Sequence, residues 1–215
     1  NQYNKIFLNI ASGPYSENDF INLDNNIFLF LSYVPIFFLK LILKKSHIKI
    51  INEYKKSRKE NELLFVNCNK PISCKFNSID HILSSHFLEH LYKDKLDLIL
   101  KNYYNILKEN GTIHVIVPNL RFEIEKYQSS SDRDKGNYFI KSLLLSEEKT
   151  PSFLYRLFIF LGYSGIKHCW MYDIDSLSLK MEKVGFKIDN TLKIPSSHVR
   201  ANDGEESIHL IAQKN

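Results

Sequence analysis

Residues 8–24 read LNIASGPYSENDFINLD. Leu8 to Ile10 close an apolar, β-compatible run, KIFLNI, that begins at Lys5. Ala11, Ser12 and Gly13 follow, and Gly13-Pro14 sits where that strand must turn. Phe20 to Leu23 is a second short strand, and Asp24 ends it. In an open α/β sheet, ligands sit at the carboxyl ends of the strands. Small residues after the first strand let the backbone approach a ligand closely, and a carboxylate after the second can accept both hydroxyls of a ribose. An ordinary turn explains Ala-Ser-Gly-Pro by itself. Its spacing to Asp24 is what favours a turn holding a nucleoside's attached chain while the acid holds the sugar.

Working outward, the pattern alternates strands with helices. Leu63 to Val66 and Ile79 to Leu83 are the third and fourth strands, and Thr112 to Val117 is the fifth, closed by Pro118. Between the last two, Asp94 to Lys108 predicts an amphipathic helix with Leu96, Ile99, Leu100, Tyr103, Ile106 and Leu107 on its inner face. Gly111 is read as the C-cap that stops it. Helices are expected at 136–146 and 152–162. YDIDSLSLKMEKVGF predicts a capped helix ending at Gly185. Phe186 to Leu192 and Ser207 to Ala212 are the last two strands. This order argues for a parallel α/β sheet, and the final helix-strand-strand run for one antiparallel edge strand.

One stretch imitates a membrane span. Residues 27–45, IFLFLSYVPIFFLKLILKK, are apolar apart from Ser32, Tyr33, Pro35 and the lysines. A spanning helix needs about 20 predominantly apolar residues, and Pro35 divides this run. The spacing predicts a helix from Pro35 to Lys45, with Ser32 nearby as a cap, and Ile36, Leu39 and Leu43 on one face widened by Phe38 and Ile42. It is expected to pack on the same domain. A lid over the site and an interfacial membrane contact, backed by Lys44, Lys45 and Lys49, are the other readings. A Lys/Glu-rich polar segment, 52–62, follows.

The 215 residues suffice for one domain, and 44% hydrophobic with 25% charged residues is the composition of a globular protein. The net charge of +5 is spread over scattered lysines, so no nucleic-acid partner is expected. Cys68, Cys74 and Cys169 form no C-x-x-C pair, which points to free thiols and a cytoplasmic location. No signal peptide is visible, and the chain starts almost directly on a strand.

A second constellation joins SIDHILSSHFLEHL, residues 78–91, to LKENGTIHVIVPNLR, residues 107–121. With the opening stretch and HCWMYDIDSLSLKMEKVGF, 168–186, it closely resembles class I S-adenosylmethionine-dependent methyltransferases. Among these it is similar to the predicted methyltransferases of sugar and surface-polysaccharide pathways. The resemblance implies a Rossmann-like, seven-stranded, mostly parallel sheet flanked by helices. It implies a single domain, 1–215, with an apolar helical insertion at about 27–62. It also implies S-adenosylmethionine as cofactor, S-adenosylhomocysteine as product and a small-molecule or saccharide acceptor. Carried over by position, Ala11, Ser12 and Gly13 match the turn around the cofactor's methionine end, and Asp24 the ribose acid. Asn67 stands where an aspartate often reads the adenine, Cys68 follows it, and Ser85 and His86 match the stretch beside the transferred methyl. Ala11 replaces the usual glycine and Asn67 the usual acid, so a non-catalytic scaffold of the same fold is the alternative.

A hydroxyl acceptor needs its proton removed, and an imidazole suits that at neutral pH. His86, at the end of a strand, is the first candidate. His168 is the second, in a loop with Trp170, Tyr172 and Asp173, whose aromatic rings suit a sugar. His86, Glu89 and His90 spell H-x-x-E-H, a zinc-peptidase pattern. The strand-turn context favours the methyltransferase motif instead, and no metal is expected. Arg121 and Arg200 are available for an acidic substrate. A nicotinamide enzyme would need G-x-G-x-x-G, which ASGPYSEN lacks.

Overall fold

A computed structural model describes residues 5–145 and 167–215. The helix expected at 152–162 lies outside them. Seven strands form one sheet: β1 (Phe7–Ile10), β2 (Ile21–Asp24), β3 (Leu63–Phe65), β4 (Ile79–Ser85), β5 (Leu107–Pro118), β6 (Phe186–Ile188) and β7 (Ser207–Lys214). Their order is β3-β2-β1-β4-β5-β7-β6. β3 to β5 across the sheet are parallel, and β7 runs antiparallel to both β5 and β6. The antiparallel strand is thus second from the edge, with short β6 outside it. The expected mostly parallel, seven-stranded architecture is the one observed.

The helices follow from their patterns. α4 (Lys93–Ile106) buries Leu96, Ile99, Leu100, Tyr103 and Ile106 against the sheet, the face expected from their spacing. α4 does not reach Gly111. Leu107 already pairs with Ile79, so the chain enters β5 directly and bulges at 108–111 before Thr112 pairs with His81. Asn110 takes φ +61° there, and a Cβ on Gly111 would lie 2.8 Å from the Lys108 carbonyl. Gly111 serves a strand bulge, not a helix cap. α5 (Leu120–Ser129) and α6 (Lys135–Ser142) follow β5. α7 (Ile174–Val184) starts on an Asp173–Ser176 capping box and stops at Gly185, φ +114°, as its sequence predicts.

Residues 27–60 form three helices, α1 (Ile27–Leu31), α2 (Ile36–Lys40) and α3 (Lys45–Glu60). The single helix expected from Pro35 to Lys45 is cut short, because Lys44 is extended and starts a new helix. The polar segment 52–62 is mostly the second half of α3. Ile48, Ile51, Tyr54 and Ser57 recur every third residue on its buried side, and the charges face water. Ile48, Ile51 and Tyr54 make a second core with Phe28, Leu29, Leu39 and Leu63. Phe38 and Ile42 do not widen the buried face of α2: with Phe37 and Leu41 they are 58–79% exposed. No helix among the described residues is long and apolar enough to cross a membrane.

β1 and β2 are parallel, yet residues 11–20 join them without a helix. Buried Asn22 holds that crossover. Its amide nitrogen lies 2.9–3.1 Å from the carbonyl oxygens of Glu17, Phe20 and Glu62. Its amide oxygen accepts from the Glu17 N–H and the Asn9 side chain. The Glu17 carboxylate then accepts from Ser197 Oγ and the N–H groups of His198 and Val199, at 2.7–3.0 Å.

Two histidines are built into the sheet in their neutral form. His81 is 1% exposed, with Nδ1 2.7 Å from Thr112 Oγ1 and the rings of Phe7 and Phe20 edge-on to it. Burial, then the nearby His114, pushes its pKa down to about 3. Burial, then His209, lowers His114 to about 4. Unfolding restores a pKa of about 6.5, so below that pH the unfolded chain binds more protons and stability falls. Thermal melts should show stability fully present above pH 6.5 and lost towards pH 3–4. Each histidine contributes a slope of about 1.4 kcal/mol per pH unit inside that window. His81→Gln should remove one such contribution; a melting temperature flat from pH 7 to 5 would contradict this.

Candidate active site

The strand register brings most of the sequence-derived residues to one edge. Ile10 lies beside Leu23 and Ser84, and Asp24 beside Phe65, so β1, β2, β3 and β4 end together. Ala11 leaves β1 with φ +53°, a left-handed conformation that costs a residue with a Cβ about 1–2 kcal/mol. Gly13 has φ +60°, and nothing lies within 4 Å of where its Cβ would be. The Ser12 N–H donates to the Leu23 carbonyl at 3.0 Å and so ties this turn to the end of β2. Gly13 also donates its N–H to the Asp24 carboxylate.

Asp24 is 6% exposed. Tyr54 of α3 donates its hydroxyl to Oδ2 at 2.6 Å, and the Asn26 N–H donates to Oδ1 at 3.0 Å. Burial raises its pKa, and the Tyr54 bond opposes that. Cys68 is buried beside this acid, and burial pushes its thiol up to about 12. All three cysteines are free, as expected. Asn67 is exposed next to Cys68, and its side-chain oxygen accepts from the Asn69 N–H. Tyr54 was not legible as a site residue, because it sits in the polar segment whose helix the sequence did not reveal.

A second group surrounds the end of β4. Ser85 is half-buried, and His86 turns the chain with φ +49°, its N–H bonded to the Ile116 carbonyl. Its Nδ1 lies 3.4 Å from a Glu89 carboxylate oxygen. Its Nε2 lies 3.3 Å from Ser207 Oγ and 3.8 Å from Asp203. Burial, then Arg200, lowers His86 to about 4, while burial raises Glu89 to about 8. Near pH 7 the imidazole is therefore uncharged and open to a proton. The Glu89 backbone carbonyl accepts from the N–H groups of Cys169 and Trp170, which brings His168 over the turn at Leu88–His90. Ligand-capable atoms of Glu89, His90 and His168 all lie within 4.8 Å of one another.

Some expected partners point elsewhere. Tyr172 is 2% exposed within the main core and cannot stack on a sugar. Asp173 caps α7. Trp170 is accessible, with Lys93 over its ring at 5.0 Å. Arg200 pairs with Asp203.

No protein-family model matches the chain, and no curated protein matches it by sequence. Solved structures do match in fold. The PH0226 protein of Pyrococcus horikoshii aligns over 100% of this chain and 84% of its own, with a TM-score of 0.55 and 14% identity. A Listeria monocytogenes protein assigned as an S-adenosylmethionine-dependent methyltransferase aligns over 99% and 92%, with a TM-score of 0.52 and 16% identity. A chain from the complex of the Haloferax volcanii Trm112 methyltransferase activator with its assigned methyltransferase aligns over 100% and 83%, at 0.52 and 9%. The sheet order, the antiparallel β7 and these alignments together give the chain the Rossmann-like fold of S-adenosylmethionine-dependent methyltransferases.

Proposed function

We propose that the chain binds S-adenosylmethionine and transfers its methyl group to a small molecule or sugar. One observation carries this reading: on a methyltransferase fold, the open space at Gly13 and the buried acceptor Asp24 meet at the carboxyl edge of the sheet. The residues present fit the cofactor. The Ala11–Gly13 turn presents only small side chains, the Ala11 methyl and the Ser12 hydroxymethyl, so it suits the methionine end. Asp24 would accept the ribose hydroxyls, and Asn67 would face the adenine, with Cys68 behind it. When bound, the cofactor supplies a methyl group on a sulfonium, and the protein's main task is to hold the acceptor in line with it.

Ser85 and His86 flank the expected position of that methyl. His86 would take the acceptor's proton, with Asp203 at 3.8 Å favouring the imidazolium that forms. His168, across the turn, would face the acceptor. Exposed Phe37, Phe38, Leu41 and Ile42, followed by Lys44 and Lys45, support a peripheral contact with a membrane surface on the cytoplasmic side. A surface-glycan precursor is an acceptor consistent with such a position.

The second reading, a scaffold of this fold without catalysis, draws on the strained Ala11 and on the Tyr54 hydroxyl already bonded to Asp24. Calorimetric titration with S-adenosylmethionine, then a methyl-release assay, separates the two. Asp24→Ala should weaken binding about ten- to hundred-fold, the worth of a charge-assisted bond of about 1.5–3 kcal/mol. Asp24→Asn, which keeps the shape, should also lose affinity. Unchanged affinity in both variants would remove the ribose assignment.

A further inference from the structure

We propose that Glu89, His90 and His168 form a binding site for a divalent first-row transition-metal ion of the Zn2+ type. The three come from two chain segments, the turn after β4 and the strap before α7. Their ligand-capable atoms converge within 4.8 Å. A four-coordinate ion with bonds of about 2.0–2.2 Å holds its donors roughly 3–3.5 Å apart, so small side-chain rotations close the set.

The imidazoles are already oriented as ligands. His90 Nδ1 lies 3.0 Å from the Lys167 carbonyl oxygen, and His168 Nδ1 lies 2.9 Å from that of Leu143. A carbonyl only accepts, so each Nδ1 carries the proton and each Nε2 presents a bare lone pair. Metal-binding histidines are tied in this way by their other ring nitrogen. His90 Nε2 points towards Glu89, 3.9 Å from its Oε1. The two rings stand edge to face, with centroids 5.1 Å apart.

Glu89 supplies the independent observation. It is 0% exposed, and neither carboxylate oxygen has a hydrogen-bond partner among the described residues. A buried carboxylate is rarely left that way unless it is paired or coordinates a metal. Its backbone carbonyl meanwhile accepts from Cys169 at 2.7 Å and Trp170 at 3.0 Å, which locks the His168 strap onto the Glu89 turn. Two imidazoles and one carboxylate favour Zn2+ and its neighbours over Mg2+ or Ca2+. Three protein ligands leave a coordination position open, the arrangement of reactive sites, not purely structural ones. His86, which completes the H-x-x-E-H spacing, stays outside the set with Nδ1 3.4 Å from Glu89. The site stands on these contacts and does not depend on the methyl-transfer reading.

The test uses the purified full chain after chelator treatment. Equilibrium dialysis against Zn2+ with elemental analysis should give one ion per chain, with a dissociation constant in the micromolar range or tighter. Co2+ should produce visible absorption that Zn2+ abolishes, and Mg2+ at the same concentration should bind at least a hundredfold more weakly. Glu89→Gln, nearly isosteric, and His168→Ala should each weaken Zn2+ at least tenfold. His198→Ala, at an exposed position, should not. Circular dichroism shows whether each variant is folded, and the rise in melting temperature on adding Zn2+ should vanish in both ligand variants. No stoichiometric binding, equal binding of Mg2+, or Zn2+ binding unmoved by Glu89→Gln and His168→Ala would each overturn the site.

Discussion

His86→Ala is expected to lower turnover on a hydroxyl acceptor about 10²–10⁴-fold, the usual contribution of a positioned base. The expectation rests on where β4 delivers this residue. Its backbone turns with φ +49° as the strand ends, and the imidazole lies 3.3 Å from Ser207 Oγ and 3.8 Å from Asp203. Burial keeps it uncharged at neutral pH, so it is ready to accept a proton. A base this far below pH 7 is weak in the resting protein, and Asp203 is the group that raises it. Cofactor affinity should change little, because Asp24 and the Ala11–Gly13 turn lie on other strands. The check is single-turnover methyl transfer at saturating S-adenosylmethionine. Full turnover in His86→Ala would assign the proton to another group.

Asn22→Ala should cost about 3–5 kcal/mol of stability, because each buried polar group left unsatisfied costs about 1–3 kcal/mol. The substitution strips partners from the carbonyls of Glu17 and Phe20, from the Glu17 N–H and from the Asn9 side-chain amide, and Asn22 is fully buried. For a chain of this size the melting temperature should fall by roughly 2–4 °C per kcal/mol, or about 6–20 °C. Asn22→Asp restores the acceptor but not the donors and should fall between. A loss under 1 kcal/mol in denaturant unfolding would mean that the crossover holds itself.

How much of this was legible depends on how far apart the cooperating residues lie. The faces of α4 and α7 and the caps of α7 were readable because they are local, set by spacings of three and four residues. The turn and Asp24 could be singled out as candidates for the same reason. α3 was not, because its apolar positions are one in three within a run of Lys, Glu and Arg. The bulge at 108–111 looked like a helix cap because Asn-Gly serves both, and only the Ile79–Leu107 pairing decides between them. The buried role of Asn22 was not legible, since its contacts with Glu17 and Phe20 follow no regular spacing and its Glu62 partner lies 40 residues away. The spacing grouped His86 with Glu89 and His90, whereas the fold groups His168 with Glu89 and His90 and leaves His86 outside.

Glu17 imposes an order of assembly on a chain made from its N-terminus. Its carboxylate meets Ser197, the nearest in sequence of its three donors, across 180 residues. A link that long closes late, after the local helices and neighbouring strands have formed. The crossover between the first two strands therefore reaches its final shape only once residues 197–199 have been synthesised and folded back onto it. A nascent or interrupted chain can hold much of the parallel sheet and still lack a finished crossover, so ligand binding should report that synthesis has passed Val199.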